Sequence, residues 1–124
     1  HYHLSAPDTE AARQWYLKTF GAAEAERRKG NKGAGLTGGT IDFLAYGGQG
    51  KNKAPVAPLA PTKGRSLDHI GFEVKNLEAF VKTLEAKGVK MDQGVQTTAG
   101  IKTAFLTDPW GTYIELTEGL APKK

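Results

Sequence analysis

The chain of 124 residues contains no cysteine. Disulfides, thiolate metal ligands and cysteine nucleophiles are therefore excluded. No run of apolar residues approaches the roughly 20 that a membrane-spanning helix needs, so we expect no membrane partner. The sequence opens on His1 and shows no leader peptide. The compartment therefore stays open between the cytoplasm and export after removal of a signal peptide.

Basic residues outnumber acidic ones, and the formal net charge is +4. Two segments hold much of this excess: Arg27, Arg28, Lys29 and Lys32 in the first, and Lys51, Lys53, Lys63 and Arg65 in the second. Either these segments are solvated loops, or they attract an anionic small molecule to a basic rim. Nucleic acid is not an expected partner, because neither segment has interleaved aromatic residues.

The middle of the chain is rich in glycine, proline and lysine and has no stable hydrophobic period. Such a composition is typical of an extended connector. The length of the chain suits one compact domain. We therefore predict a single domain with module one at 1–46, the connector at 47–66, module two at 67–119 and a tail at 120–124.

The two modules share one pattern of signals. His1 precedes Asp8 by the same offset as His69 precedes Asn76, and Asp and Asn are residue types that cap helix N-termini. Apolar residues at helical spacing follow each cap, and glycine-punctuated stretches that favour strands follow each helix. The simplest interpretation is a duplicated βαβββ unit.

The predicted fold class is α+β, with two βαβββ modules that form a cup-shaped mixed sheet and helices on its outer face. Strand alternation assigns one apolar set to the helix side: Tyr2, Leu4, Ile70, Phe72, Ile114 and Leu116. The concave face then carries a polar set: His1, His3, Ser5, His69, Glu73 and Glu115.

Three of these polar residues suggest a metal site. His1 and His69 hold equivalent positions in the two modules, and Glu115 has the parity of the same concave face. Two histidines and one carboxylate with open positions form the arrangement used for mononuclear metal catalysis. The alternative is that the histidines are hydrogen-bonded or exposed strand residues and that Glu115 is an exposed carboxylate.

The hairpin sequence TDPWG allows a prediction of register. A four-residue loop over 108–111 would place Ala104 opposite Glu115, leaving room for a ligand beside the carboxylate. The same register would place Lys102 opposite Thr117 on the concave side. Lys102 is then either an anchor for an anionic substrate or an exposed strand lysine.

Three stretches resemble the vicinal-oxygen-chelate superfamily: HYHLSAPDTEAARQWYLKTFG, LDHIGFEVKNLEAFVKTLEAKGV and FLTDPWGTYIELTEG. This superfamily includes glyoxalase I, fosfomycin-resistance proteins, extradiol dioxygenases, methylmalonyl-CoA epimerase and bleomycin-binding proteins. The resemblance implies that His1, His69 and Glu115 bind one divalent metal ion, Fe, Mn, Ni, Co or Zn. It also implies a catalytic role for Glu115 and a proton-carrying or substrate-contacting role for His3.

The resemblance further implies a set of substrate-contacting residues: His3, Asp42, Lys102, Tyr113 and Thr117. The closing strand of module one, TIDFLAY, departs from the glyoxalase I pattern, because Leu44 offers no ligand and Asp42 is the nearest carboxylate. A three-ligand centre is therefore the more natural expectation.

The predicted function is a glyoxalase-like metalloenzyme that acts as a Lewis acid on a small oxygen-rich or anionic substrate. The reaction would be an isomerisation or lyase step, an addition or an oxygenation. The alternative is a metal-free protein that sequesters a small molecule, of the bleomycin-resistance type, although the positive net charge argues against a cationic drug. Many proteins of this type pair, so we expect a homodimer.

Overall fold

The computed structural model describes residues 1–46 and 58–120. The chain divides into two compact units, His1–Leu59 and Ala60–Lys124. Most of the predicted connector, residues 47–57, lies outside the described residues, as do residues 121–124. Within the described ranges no helix is long and apolar enough to cross a membrane.

Each unit contains one βαβββ module, as the duplicated pattern predicts. The elements of unit one are β1 (Tyr2–Ala6), α1 (Thr9–Phe20), β2 (Ala23–Arg28), β3 (Asn31–Leu36) and β4 (Gly39–Ala45). Those of unit two are β5 (His69–Glu73), α2 (Leu77–Ala86), β6 (Met91–Thr98), β7 (Ile101–Thr107) and β8 (Tyr113–Glu118). The α+β class is confirmed.

Both sheets are mixed and have the same topology. Their strand orders are β1-β4-β3-β2 and β5-β8-β7-β6. In each sheet the first strand runs parallel to the last, and the remaining neighbours are antiparallel. The first strand therefore lies beside the last strand of its own module, and residues distant in sequence become neighbours on one face.

The helices begin where the sequence predicts. The Asp8 carboxylate accepts a hydrogen bond from the Ala11 amide at 2.9 Å, and the Asn76 side chain accepts one from the Ala79 amide at 3.0 Å. These bonds satisfy amide groups that have no partner inside a helix. Gly21 ends α1 in the left-handed region at φ 66°, where glycine is favoured.

Each helix packs on one face of its own sheet. In unit one the ring centroids of Tyr16 and Phe43 are 5.3 Å apart, and both side chains are buried. In unit two Leu84 is buried along with Ile114 and Leu116. Burial of such side chains contributes about 1.5–3 kcal/mol each. The opposite face of each sheet, called here the helix-free face, carries the polar residues considered below.

Tyr2 departs from the predicted helix-side set, because it is 54% exposed. It is the first residue of β1, which is an edge strand in the described sheet of unit one. An edge position leaves one flank of the side chain to solvent. Burial rises toward the other end of β1, where Ala6 is 1% exposed.

The β7–β8 register differs from the prediction by one residue. Thr107 pairs with Tyr113, and Phe105, not Ala104, lies opposite Glu115. The cause is Asp108, whose carboxylate accepts hydrogen bonds from the amides of Trp110 and Thr112 at 2.9 and 2.8 Å. These bonds draw Thr112 into the loop, so the loop is one residue longer than the predicted four-residue turn.

A β-bulge interrupts the β2–β3 pairing. Glu26 lies opposite Lys32, but Arg28 lies opposite Asn31, so Arg27 is an extra residue on β2. The turn that follows contains Gly30 at φ 83°, a conformation that favours glycine. The bulge and the turn together form the end of the hairpin.

Candidate functional site

His69 and Glu115 lie together on the helix-free face of unit two. Parallel pairing of β5 with β8 places Gly71 opposite Glu115, one strand step from His69. The Nε2 atom of His69 is 3.5 Å from Oε2 of Glu115. Both side chains are partly exposed, at 40% and 22%. An imidazole nitrogen and a carboxylate oxygen thus face the same accessible space.

Asp68 orients the His69 ring. Its Oδ1 atom is 2.8 Å from Nδ1 of His69, and its other oxygen accepts a hydrogen bond from the Gly64 amide. These two bonds, that of His69 foremost, lower the pKa of the Asp68 carboxyl below its ordinary value. A carboxylate on one ring nitrogen leaves the other nitrogen free for a second partner, which is the usual environment of a metal-binding histidine.

Sequence reasoning missed Asp68. The set of concave-face residues was built from strand alternation beginning at His69. Asp68 lies before the first residue of β5, where alternation does not constrain a side chain. The usable signal was the Asp-His pair itself, because a carboxylate next to a histidine can reach Nδ1.

Aromatic rings flank His69. Phe105 and Tyr113 stack with centroids 5.1 Å apart and an interplanar angle of 15°. The His69 ring approaches both edge-on, at 6.0 and 6.3 Å. The Lys63 ammonium lies 4.5 Å from the centroid of the Tyr113 ring. One flank of the site is therefore apolar, and Tyr113 lies in it.

Thr117 lies on the same face, and its side chain already has a hydrogen-bond partner within the protein. It is buried, and its hydroxyl donates a hydrogen bond to Glu73. The second oxygen of Glu73 accepts from the amides of Gly119 and Leu120 at 2.8 and 3.1 Å. In this arrangement Thr117 helps to hold the segment after β8.

Lys102 lies on the helix side, and its predicted concave position is wrong. Its ammonium is 3.2 Å from Glu78 of α2 and 3.5 Å from Glu118. These carboxylates, Glu78 foremost, raise the pKa of Lys102. The cause of the error is the register, since Lys102 pairs with Glu118 and not with Thr117. Its side chain therefore points away from the face that carries Glu115.

His1 and His3 come together on unit one. Their ring centroids are 4.8 Å apart, and Nε2 of His3 is 3.6 Å from Oδ2 of Asp42. Potential ligand atoms of all three residues lie within 4.8 Å of one another. Asp42 is the residue opposite His3 in the β1–β4 register, so sheet pairing explains the grouping.

Asp42 is fully buried and paired with a cation. Its Oδ2 atom accepts hydrogen bonds from Arg27 at 2.7 Å and from Asn31 at 3.3 Å. Arg27 is the main cause of the lowered pKa of Asp42. Among the residues that the structure describes, the Oδ1 atom has no hydrogen-bond partner, and it faces Gly33, where an added Cβ would be only 2.9 Å away.

A cavity of about 530 Å³ opens beside these residues in unit one. That volume is in the range of small-molecule sites. Its lining includes residues at the start of the chain and in the β2–β3 hairpin: His1, His3, Arg27, Arg28, Lys29 and Asn31. Arg27 and Asn31 were not connected with Asp42 in the sequence analysis, because hydrophobic periodicity does not reveal how β2, β3 and β4 pair with one another.

The predicted metal-binding set draws on both units. His69 and Glu115 are close together in unit two, whereas His1 belongs to unit one. The three-residue set therefore stays a prediction. The residues of unit two fit a divalent metal chemically, because an imidazole oriented by Asp68 presents its free nitrogen beside a carboxylate.

The family model described as Glyoxalase/Bleomycin resistance protein/Dioxygenase superfamily matches residues 1–116. A comparison with curated proteins gives no significant match.

Solved structures with the same fold include a lactoylglutathione lyase from Agrobacterium tumefaciens, with 17% identity and a TM-score of 0.66 over 94% of this chain and 90% of that one. The fosfomycin resistance protein FosX from Listeria monocytogenes has 18% identity and a TM-score of 0.71, over 96% and 90% of the two chains. TioX from Micromonospora sp. ML1 has 17% identity and a TM-score of 0.75, over 95% of each chain.

These structures share the fold at low identity, and the family model covers most of the sequence. The chain belongs to the Glyoxalase/Bleomycin resistance protein/Dioxygenase superfamily.

Proposed function

We propose that the protein is a metal-dependent enzyme that acts on a small oxygen-rich or anionic substrate. Its metal ligands would include His69 and Glu115 of unit two, while His1 stays a ligand predicted from the sequence. The observation that carries the proposal is the Asp68–His69–Glu115 arrangement, in which one ring nitrogen is held at 2.8 Å and the other faces a carboxylate at 3.5 Å.

A bound divalent metal would supply Lewis-acid polarisation of a substrate oxygen or, if it is iron, activation of oxygen. The chain's own residues would orient the ligand set and shape the site. Asp68 fixes the His69 ring, and the stacked rings of Phe105 and Tyr113 exclude water from one side. His3 is proposed to contact the substrate or carry a proton, and Asp42 to hold Arg27 in place.

The reaction class is proposed as an isomerisation or lyase step, an addition or an oxygenation. Two structures of the same fold bear names for a lyase and for fosfomycin resistance. Their identities of 17% and 18% support the fold alone, so these names guide only the choice of substrates to screen. Dicarbonyl, catechol and phosphonate compounds form a suitable first panel.

A homodimer is proposed as the working assembly.

Metal content tests the proposal directly. The full chain is purified without chelators, and bound Fe, Mn, Ni, Co and Zn are measured by mass spectrometry. We expect near-stoichiometric metal in the wild type and at least a tenfold loss of affinity in His69→Ala and Glu115→Gln. Glu85→Gln, an exposed carboxylate on α2, serves as the matched control and should keep its metal.

A metal-free binding protein is the second candidate. The ring of Phe105 favours it, because it is partly accessible, is stacked on buried Tyr113 and could pack against a flat apolar ligand. A wild-type protein without metal, whose melting temperature does not rise with any of the five metals, would reject the enzyme and support the binder.

A further inference from the structure

We propose that the cavity of unit one is an oxyanion subsite, which binds a carboxylate, phosphate or phosphonate group through Arg28, Lys29 and Asn31 beside the two histidines. The proposal rests on the proposed function only in taking that group to be part of the substrate. The location, the ligand class and the binding residues follow from the charges and contacts in unit one.

The charge balance around the cavity favours an anion. Arg27 is neutralised by buried Asp42 at 2.7 Å. Arg28 and Lys29 also line the cavity, and within the described residues neither forms an ion pair. The nearby Glu26 carboxylate accepts a hydrogen bond from the Gly30 amide in the turn. Two cations that form no ion pair with the described part of the chain therefore remain at the wall of the cavity.

The hairpin that carries these cations is anchored by a buried carboxylate. Asp42 of β4 binds Arg27 on β2 and Asn31 on β3 through the same oxygen, and so connects both sides of the turn to the buried sheet. Gly30 supplies the left-handed residue that closes the turn. Groups that are fixed before binding lose less conformational entropy when the ligand arrives.

A metal ion is the competing occupant, since His1, His3 and Asp42 bring ligand atoms within 4.8 Å. The surroundings oppose it. Asp42 is fully buried, and the guanidinium of Arg27 lies 2.7 Å from Oδ2, where it would repel a divalent cation. The negative charge of Asp42 is thus already balanced by Arg27. The donor groups of Arg28, Lys29 and Asn31 suit an oxyanion.

The test is direct binding to the full-length chain after EDTA treatment. Inorganic phosphate, methylphosphonate and malonate are titrated separately at low ionic strength, and amide chemical shifts are followed by NMR. We expect saturable shifts at Gly30 and Asn31, and the ranking of the three probes distinguishes phosphate, phosphonate and carboxylate ligands. Arg28→Gln/Lys29→Gln should weaken binding by about tenfold or more, because two charge-assisted contacts are lost.

The matched control is Lys82→Gln/Lys90→Gln, which removes the same charge from exposed positions of unit two. Its dissociation constant should stay within about twofold of wild type, because distant surface charges are screened. Equal weakening in both double variants, or no saturable shift in the wild type, would overturn the subsite.

A zinc titration of the His69→Ala/Glu115→Gln variant tests whether a metal ion binds in the cavity instead of an oxyanion. Tight zinc binding that shifts Gly30 and Asn31 would assign the cavity to a cation and overturn the proposal. The phosphate titration uses metal-free protein, so it succeeds or fails independently of the metal measurement on which the proposed function depends.

Discussion

The carboxylate of Asp68 lies 2.8 Å from Nδ1 of His69, and it orients a ring whose other nitrogen faces Glu115. Asp68 therefore has a positioning role in the proposed metal site. Its side chain does not need to touch the metal to affect binding, because loss of an orienting partner lets the ring rotate and reduces the basicity of the ligand nitrogen.

Replacement of Asp68 by Asn should weaken metal binding by about 10–100-fold without unfolding the chain. Competition with a chromophoric chelator gives the affinity, and circular dichroism checks the fold. Asp92→Asn is the matched control, since Asp92 accepts a hydrogen bond from Thr107 and an amide oxygen can still do so. Unchanged affinity in Asp68→Asn would remove the positioning role.

Arg27→Gln should lower the free energy of unfolding by about 3 kcal/mol, because Asp42 is then left buried without its cation. Urea denaturation measures the change. Arg28→Gln, next in the chain and without an ion pair among the described residues, should stay within about 0.5 kcal/mol of wild type. The double variant Arg27→Gln/Asp42→Asn should regain part of the loss, and a double variant no more stable than Arg27→Gln would contradict this explanation.

Gly33→Ala should destabilise unit one by about 1–3 kcal/mol. The added Cβ would lie 2.5 Å from the Ile41 carbonyl oxygen and 2.9 Å from Oδ1 of Asp42, and a backbone oxygen cannot move cheaply. Gly35→Ala on the same strand is the control, with its nearest contact at 3.5 Å. The two variants are compared by thermal unfolding, and equal melting temperatures would show that the sheet relaxes around the methyl group.

Glu10 gives a prediction about pH. Hydrogen bonds from Arg13 and then Gln14 lower the pKa of Glu10 from 4.5 to about 2. Because the folded pKa is depressed, the stabilising contribution is full above the unfolded pKa of 4.5 and is lost as the pH falls toward about 2. The melting-temperature difference between wild type and Glu10→Gln should therefore shrink between about pH 7 and about pH 3. Glu85→Gln should show no such trend, and a constant Glu10→Gln difference would refute the assignment.

Lys102→Gln should leave the affinity for the divalent metal within about twofold of wild type, because the side chain lies on the helix side, away from Glu115. Loss of its two carboxylate partners should instead appear as a small change in thermal stability. Metal titration measures the affinity, and thermal unfolding of the same sample measures the stability. A large loss of affinity with unchanged stability would return Lys102 to the binding site.

The sequence patterns that predicted the fold are local ones. Asp8 and Asn76 mark the helix starts because each side chain caps an amide three residues ahead. Strand alternation correctly placed His69 and Glu115 on one face, since β5 and β8 are regular and paired in register. Where the backbone is regular, a two-residue period is enough to assign a face.

The failures occur where the backbone departs from regularity. Asp108 enlarges a loop through its own side-chain hydrogen bonds, and this moved Lys102 to the other face. Ala25 pairs with Gly33 and Gly33 with Asp42, so Arg27 would face Asp42 in a regular strand as well. The extra residue in β2 instead brings Arg28 opposite Asn31, which no periodicity reveals. Asp68 precedes β5, so strand alternation gives no information about its position. Each error therefore has a local conformational cause.

The extra residue in β2 also decides how the hairpin's two arginines are used. In a regular strand, adjacent side chains diverge, and one of the two guanidinium groups would project from the side nearest α1. With the insertion, one arginine reaches inward to a hidden carboxylate while its neighbour remains available at the same opening. Deletion of a single amino acid here would place the two guanidinium groups on opposite sides of the sheet, so the length of this strand decides whether both serve one opening.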